Sequence, residues 1–180
     1  IGALAMAAVD NPLLAATGHR ICNDCMKACI YQKQDPVNIP QVETACLTDT
    51  LAMPFGFEIY ALLTRWNPLA VRRPVMRPHN GKKVLIVGLG PAGFTLAQHL
   101  LNEGFGVVGI DGLKIEPLPE PWTGDLGAGV LPQAIRDYAR QVEQPLDERI
   151  LRGFGGVAEY GITVRWDKNF LTVLHVILAR

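Results

Sequence analysis

The stretch KVLIVGLGPAG, Lys83 to Gly93, decides how the chain is read. KVLIVG is a short, continuous apolar run rich in β-branched residues, the pattern of a strand buried on both faces of a parallel sheet. Three glycines follow in the order G-x-G-x-x-G: Gly88, Gly90 and Gly93. Gly88 allows a tight turn, Gly90 lets the backbone approach a pyrophosphate, and Gly93 lets the next helix pack closely on the strand. Leu89, Pro91 and Ala92 fill the turn between them. The helix it opens offers free amide donors and a positive dipole end to phosphates.

Outward from this turn, PAGFTLAQHLLNEG places Phe94, Ala97, Leu100 and Leu101 on one helical face and ends with Gly104 at the C′ position. GVVGID then predicts a second buried strand, completing a strand–helix–strand unit of about 30 residues. Asp111, at the end of that strand, is placed to accept hydrogen bonds from the hydroxyls of an adenosine ribose, and its charge repels a 2′-phosphate. FAD and NAD present the same ADP half to this pattern, so the residues leave both open.

Further along, GLKIEPLPEPWTGDLGAG is too rich in proline and glycine to pair inside a sheet and reads as a surface excursion. Leu131, Ile135, Tyr138 and Val142 predict an amphipathic helix, DERILR a short helix before Gly153, and GITVRW a strand. FLTVLHVILAR fits helix or strand, with helix preferred.

Upstream, residues 67–83 (NPLAVRRPVMRPHNGKK) hold three prolines and an Asn-Gly pair, the composition of a linker. Residues 1–66 then form a helical, cysteine-bearing domain, and residues 84–180 the N-terminal part of an α/β dinucleotide-binding domain with an incomplete parallel sheet. In the first domain Asn11-Pro12 marks a helix start with Gly18 as its stop, and Asn38 caps a helix containing Pro40. Phe57, Tyr60, Leu62, Leu63 and Trp66 recur at helical spacing.

CNDCMKAC places Cys22, Cys25 and Cys29 in a C-x-x-C-x-x-x-C pattern, which favours an iron–sulfur cluster or zinc. Cys46 is the candidate fourth ligand. It also shares a helical face with Ile39 and Val42, which fits a buried free thiol equally well. His19 is a weaker candidate. A dinucleotide site in the same chain tilts the choice towards iron–sulfur, because zinc cannot pass electrons.

With 17 Lys and Arg against 17 Asp and Glu, and no basic run longer than the pairs at Arg72 and Lys82, the chain lacks the footprint of a nucleic-acid binder. The apolar N-terminus is broken at Asp10, Asn11 and Pro12, short of the roughly 20 residues of a membrane span. Clustered cysteines and the absence of a basic leader point to the cytoplasm. The chain opens on Ile1, which suggests a piece of a longer polypeptide.

The cysteine cluster followed by PVNIP (Pro36 to Pro40), the run VLIVGLGPAG, and GGVAEYGI (Gly155 to Ile162) together resemble the family of the small subunit of NADPH-dependent glutamate synthase. The glycine turn is similar to the FAD site of the pyridine nucleotide-disulfide oxidoreductases. The resemblance implies a helical domain binding a [4Fe–4S] cluster through Cys22, Cys25, Cys29 and Cys46, then an FAD domain. FAD would contact Gly88, Leu89, Gly90, Pro91, Ala92, Gly93, Asp111, Gly112 and Gly156. A further C-terminal NAD(P)H domain and a partner redox subunit are implied as well, with electrons running from NAD(P)H through FAD and clusters to the partner. The family uses more cysteines than these four, and its passage to the Gly-Gly segment is shorter than residues 112–153.

Two other readings remain: a non-catalytic dinucleotide-binding adaptor with a structural metal, and an NAD-dependent dehydrogenase with structural zinc. Trp122, Trp166 and Tyr160 suit flavin stacking or plain packing, and His175 a core histidine. Arg72, Arg73 and Arg77 either solvate the linker or face cofactor phosphates. No general acid, base or nucleophile is assigned. An incomplete parallel sheet leaves an unpaired edge, so the isolated chain is expected to self-associate or to pack against missing partner segments. Light scattering at high concentration checks this, and a clean monomer would count against it.

Overall fold

The computed structural model describes residues 1–17, 24–71, 75–110, 120–123, 130–141, 173 and 176–180. The expectations for Gly18, His19, Cys22, Arg72, Arg73, Asp111, Gly112, Gly156, Tyr160, Trp166 and His175, and for the strand GITVRW, lie outside those residues.

The α/β part is built as the glycine stretch demands. Strand β1 (Lys83–Val87) and strand β2 (Gly106–Ile110) run parallel, with Leu85 opposite Val108 and Val87 opposite Ile110. Helix α6 (Pro91–Asn102) crosses between them. It stops because Gly104, at φ +83°, takes the left-handed turn that a side chain resists. There the Gly104 amide donates to Leu101 and the Phe105 amide to Leu100, both at 3.0 Å, a Schellman ending. One face of the pair packs on α6 through Ile86 and Phe94. The other is open: Leu85, Val87, Val108 and Ile110 are all exposed. The expectation of strands buried on both faces is therefore corrected, because among the described residues only one helical layer covers the sheet.

Among the described residues, five helices come before the sheet: α1 (Gly2–Asp10), α2 (Leu14–Thr17), α3 (Asp24–Lys27), α4 (Ile39–Leu51) and α5 (Gly56–Arg65). Asn38 caps α4 as its sequence suggests, its side chain accepting from the Gln41 amide with proline in the first turn. The buried face of α4 is Pro40, Thr44, Leu47, Thr50 and Leu51. Ile39 and Val42 are exposed and Cys46 only half-buried, so the apolar face assigned to those three is corrected. The hydroxyls of Thr44 and Thr50 bond carbonyls one turn back, at 2.8 and 2.9 Å, which lets polar residues sit in the core. Between α4 and α5 the chain turns by 120°. Close approach fixes that corner, since a Cβ on Gly56 would lie 2.0 Å from the Thr50 carbonyl oxygen. Among the described residues no single helix is long and apolar enough to cross a membrane.

Small residues on α1 (Ala5, Ala8) let it pack against α4 and α5, and α2 reaches both α4 and α6. The buried side chains of helices and sheet form one continuous cluster. The linker-like stretch is tied down at both ends. Buried Asn67 donates to the Ala5 carbonyl at 2.6 Å, and the Arg77 and Asn80 amides bond the carbonyls of Asn102 and Gly104.

The later segments are anchored from below. Helix α7 (Glu120–Thr123) and helix α8 (Tyr138–Gln141) are single turns, and residues 176–179 are helical, as preferred for that segment. The longer amphipathic helix expected from Leu131 onward is corrected: residues 130–137 are not helical and Leu131 is exposed, although Ile135 and Tyr138 are buried. Arg180, its side chain 7% exposed, pairs with Glu58 at 2.7 Å and lies over the Phe57 ring. It also donates to the backbone carbonyls of Trp122 and Gln133, and Glu58 accepts from the Ile135 amide.

Tyr60 is the keystone of the helical layer. Fully buried, its hydroxyl donates to the Pro12 carbonyl at 2.9 Å and accepts from the Ala15 amide at 3.1 Å. Burial pushes its ionisation well above the ordinary tyrosine value, against the smaller opposing pull of the backbone amides. The folded state thus holds its proton where the unfolded state has lost it. That stability is intact below about pH 10 and declines as pH rises beyond it. Tyr60→Phe should cost about 1–2 kcal/mol at pH 7 in urea unfolding, and should remove much of the alkaline decline between pH 9 and 11.

Candidate functional site

The turn between β1 and α6 has the geometry that its three glycines imply, each for a different reason. Gly88 sits at φ +97°, a conformation that L side chains resist, and its amide extends the ladder by donating to the Ile110 carbonyl at 2.8 Å. Gly93 is buried, and a Cβ there would lie 2.0 Å from the Gly88 carbonyl oxygen, so the helix could not seat on the turn with any larger residue. Gly90 is the opposite case: a Cβ on it would meet nothing within 4 Å. The space in front of Gly90 is therefore open for a ligand to approach the backbone.

Gly90 is the N-cap residue of α6, with no side-chain cap and Pro91 in the first turn. The first intrahelical bond is the Phe94 amide to the Gly90 carbonyl at 3.0 Å. The amides of Ala92 and Gly93 belong to the first turn, which the helix itself cannot satisfy. No acidic side chain lies in that turn to neutralise the positive end of the dipole. Leu89, buried behind the turn, lies against Gly109, where a Cβ would come within 2.8 Å of it. The apolar side chain thus points into the fold and the polar backbone faces outward. These features fit the diphosphate of an ADP-containing cofactor.

The other expected contacts divide as follows. The described strands end level, Val87 against Ile110, but Asp111, Gly112 and Gly156 lie outside the described residues. Trp122 is half-buried and packs on the core. Arg77 pairs with Glu103 at 2.9 Å at the far end of α6, about 18 Å along the helix from Gly90. It is not a partner for phosphates bound at the turn.

Of the cysteines, Cys25 is exposed on the one-turn helix α3, beside the Asp24–Lys27 ion pair at 2.9 Å. Cys29 is half-buried, its Sγ accepting from the Tyr31 amide at 3.4 Å, and Cys46 sits half-buried on α4 against the core. Among the described residues no three His, Cys, Asp or Glu side chains converge to hold a metal. Cys25, Cys29 and Cys46 alone fall one short of a four-thiolate set, and Cys22 is outside the described residues.

One buried polar residue on α6 had no place in the sequence reading. Gln98 interrupts the apolar stripe four residues after Phe94, and that interruption was the signal available. It lines a cleft between α6 and the helical layer.

Over 168 residues the chain is 53% identical to an uncharacterized protein of Rickettsia prowazekii (strain Madrid E), which covers 93% of this chain and 22% of that protein. Over 86 residues it is 34% identical to the NADPH-ferredoxin reductase FprA of Mycobacterium leprae (strain TN), covering 46% of this chain and 19% of that one. The chain thus spans about a fifth of the length of these curated relatives. No family model and no solved structure matches it.

The two glycines of α6 should separate cleanly by mutation. Gly93→Ala forces backbone apart and should cost about 3 kcal/mol, whereas Gly90→Ala should cost under about 1 kcal/mol. Urea unfolding of both variants checks this, and equal costs would contradict the close contact at Gly93.

Proposed function

We propose that the chain is part of a flavin-dependent oxidoreductase, in which the turn from Gly88 to Gly93 holds the diphosphate of FAD. The observation that carries this reading is the contrast between Gly93, packed on backbone, and Gly90, open in front of an uncapped helix start. The partial similarity to an NADPH-ferredoxin reductase supports it. Bound flavin would supply the passage from two-electron hydride chemistry to single-electron transfer. The chain's own residues bind and orient. The amides of Ala92 and Gly93 face the phosphates, Leu89 anchors the turn, and Asp111 is proposed for the ribose hydroxyls.

In this reading NAD(P)H is the donor, bound by a further domain, and a partner redox subunit is the acceptor. The open sheet face of Leu85, Val87, Val108 and Ile110 supports additional protein packed there, because a parallel sheet is normally covered on both sides. The cysteine spacing supports an iron–sulfur cluster in the N-terminal segment, with Cys22, Cys25, Cys29 and Cys46 as its proposed ligands. Among the described residues the thiols do not by themselves form a complete ligand set.

Protein purified without oxygen should show flavin absorbance, or quench FAD fluorescence saturably on titration. Gly90→Val should weaken that binding by at least about tenfold with its folded circular dichroism spectrum retained. Iron, zinc and flavin analysis of the same sample discriminates the rivals. Zinc without flavin affinity would sink the electron-transfer reading in favour of the adaptor or dehydrogenase.

A further inference from the structure

Away from the glycine turn, α6 lines a cleft of about 400 Å³ between its outer face and the corner of α1 and α2. That volume lies in the range of small-molecule sites. One wall is apolar, formed by Pro12, Leu13 and Leu63. The other is polar, formed by Gln98 and Asn102 one turn apart on α6, with His99 beside them.

Two carboxamides of this cleft are almost wholly buried, and they differ in their commitments. Asn67 is satisfied, donating to the Ala5 carbonyl at 2.6 Å and accepting from the Leu69 amide at 3.0 Å. Gln98, only 5% exposed, donates to the Thr64 carbonyl at 3.5 Å, the outer limit of a hydrogen bond. Its Oε1 accepts no hydrogen bond among the described residues. The fold thus holds this carboxamide weakly, and its Oε1 is left for a partner supplied from the cleft that Gln98 lines.

The partner's chemistry follows from the lining. No Lys or Arg lines the cleft among the described residues, whereas Asp10 does, so an anion is disfavoured. The open bonding positions of Gln98 are one acceptor and one donor, which match a group presenting both in return. The apolar wall favours a flat, uncharged body. We propose that this cleft binds a small, neutral, planar molecule bearing an amide-type edge, either a primary carboxamide or the equivalent edge of a nucleobase, and that Gln98 reads that edge. Gln98 lies eight residues beyond Gly90, about 12 Å along the helix, so the site is separate from the phosphate turn and does not rest on the flavin reading.

The test uses the 180-residue chain with benzamide and its anionic counterpart benzoate as probes, followed by saturation-transfer and amide-shift NMR. Benzamide should bind with a Kd on the order of millimolar, and benzoate at least about tenfold more weakly. Gln98→Met, close in shape but without the amide, should also weaken benzamide by about tenfold. In the unsubstituted chain the shifts should concentrate on 63–67 and 95–102, a readout independent of how the variant folds. Absence of benzamide binding, equal binding of benzoate, an undiminished Gln98→Met variant, or shifts confined to the glycine turn would each overturn the proposal.

Discussion

The contact on which the rest depends is the one between the Gly88 carbonyl and the bare α-carbon of Gly93. With the oxygen 2.0 Å from where a Cβ would stand, α6 lies on the turn as closely as backbone permits. That approach sets the height of the helix above β1 and β2. Phe94 and Ala97 can then reach the core, and the opposite face of α6 is presented to the N-terminal helices. One helix therefore carries both candidate sites: its uncapped start faces outward at Gly90, and its flank forms a wall of the cleft at Gln98.

Around α6 the structure is held by buried polar groups acting at long sequence separation. Tyr60 joins α5 to the corner between α1 and α2, Asn67 ties the following turn to α1, and the Gln98 amide touches α5 at Thr64. Arg180 and Glu58 do the same for residues 120–123 and 130–141, which have little regular structure of their own. Burial and the nearby Arg180 charge lower the basicity of Arg65, opposed by Glu58, and Arg65 in turn bonds the Ile177 carbonyl. Such groups contribute less net free energy than apolar burial, but leaving one unpaired is costly, so they favour a single arrangement.

The strand–helix–strand unit was legible because its signals are local and agree. An apolar run, glycines with distinct steric tasks, an amphipathic helix and a C′ glycine follow one another within about 30 residues. The same holds for Asn38 as a cap. Legibility failed where a side chain's surroundings come from distant segments. Ile39 and Val42 have the spacing of a buried face, yet α4 turns Leu47 and Leu51 inward because α1 and α5 pack there. Leu131, Ile135 and Tyr138 have helical spacing, yet Ile135 is bound by its amide to Glu58 and only the last turn is helical.

Sequence by itself determined the backbone chemistry of the turn: three glycines, a proline at the helix start and no side-chain cap, because positive φ and free amides are properties of a few consecutive residues. It also determined the cysteine spacing and the balance of charge. The tertiary structure alone decided which side of each element is covered. It left Leu85, Val87, Val108 and Ile110 open, placed Arg77 at the far end of α6, and buried Gln98 beside a cleft with its carboxamide barely paired. Burial and pairing are properties of whatever lies opposite, and for these residues that neighbour is more than twenty positions away or in none of the described segments.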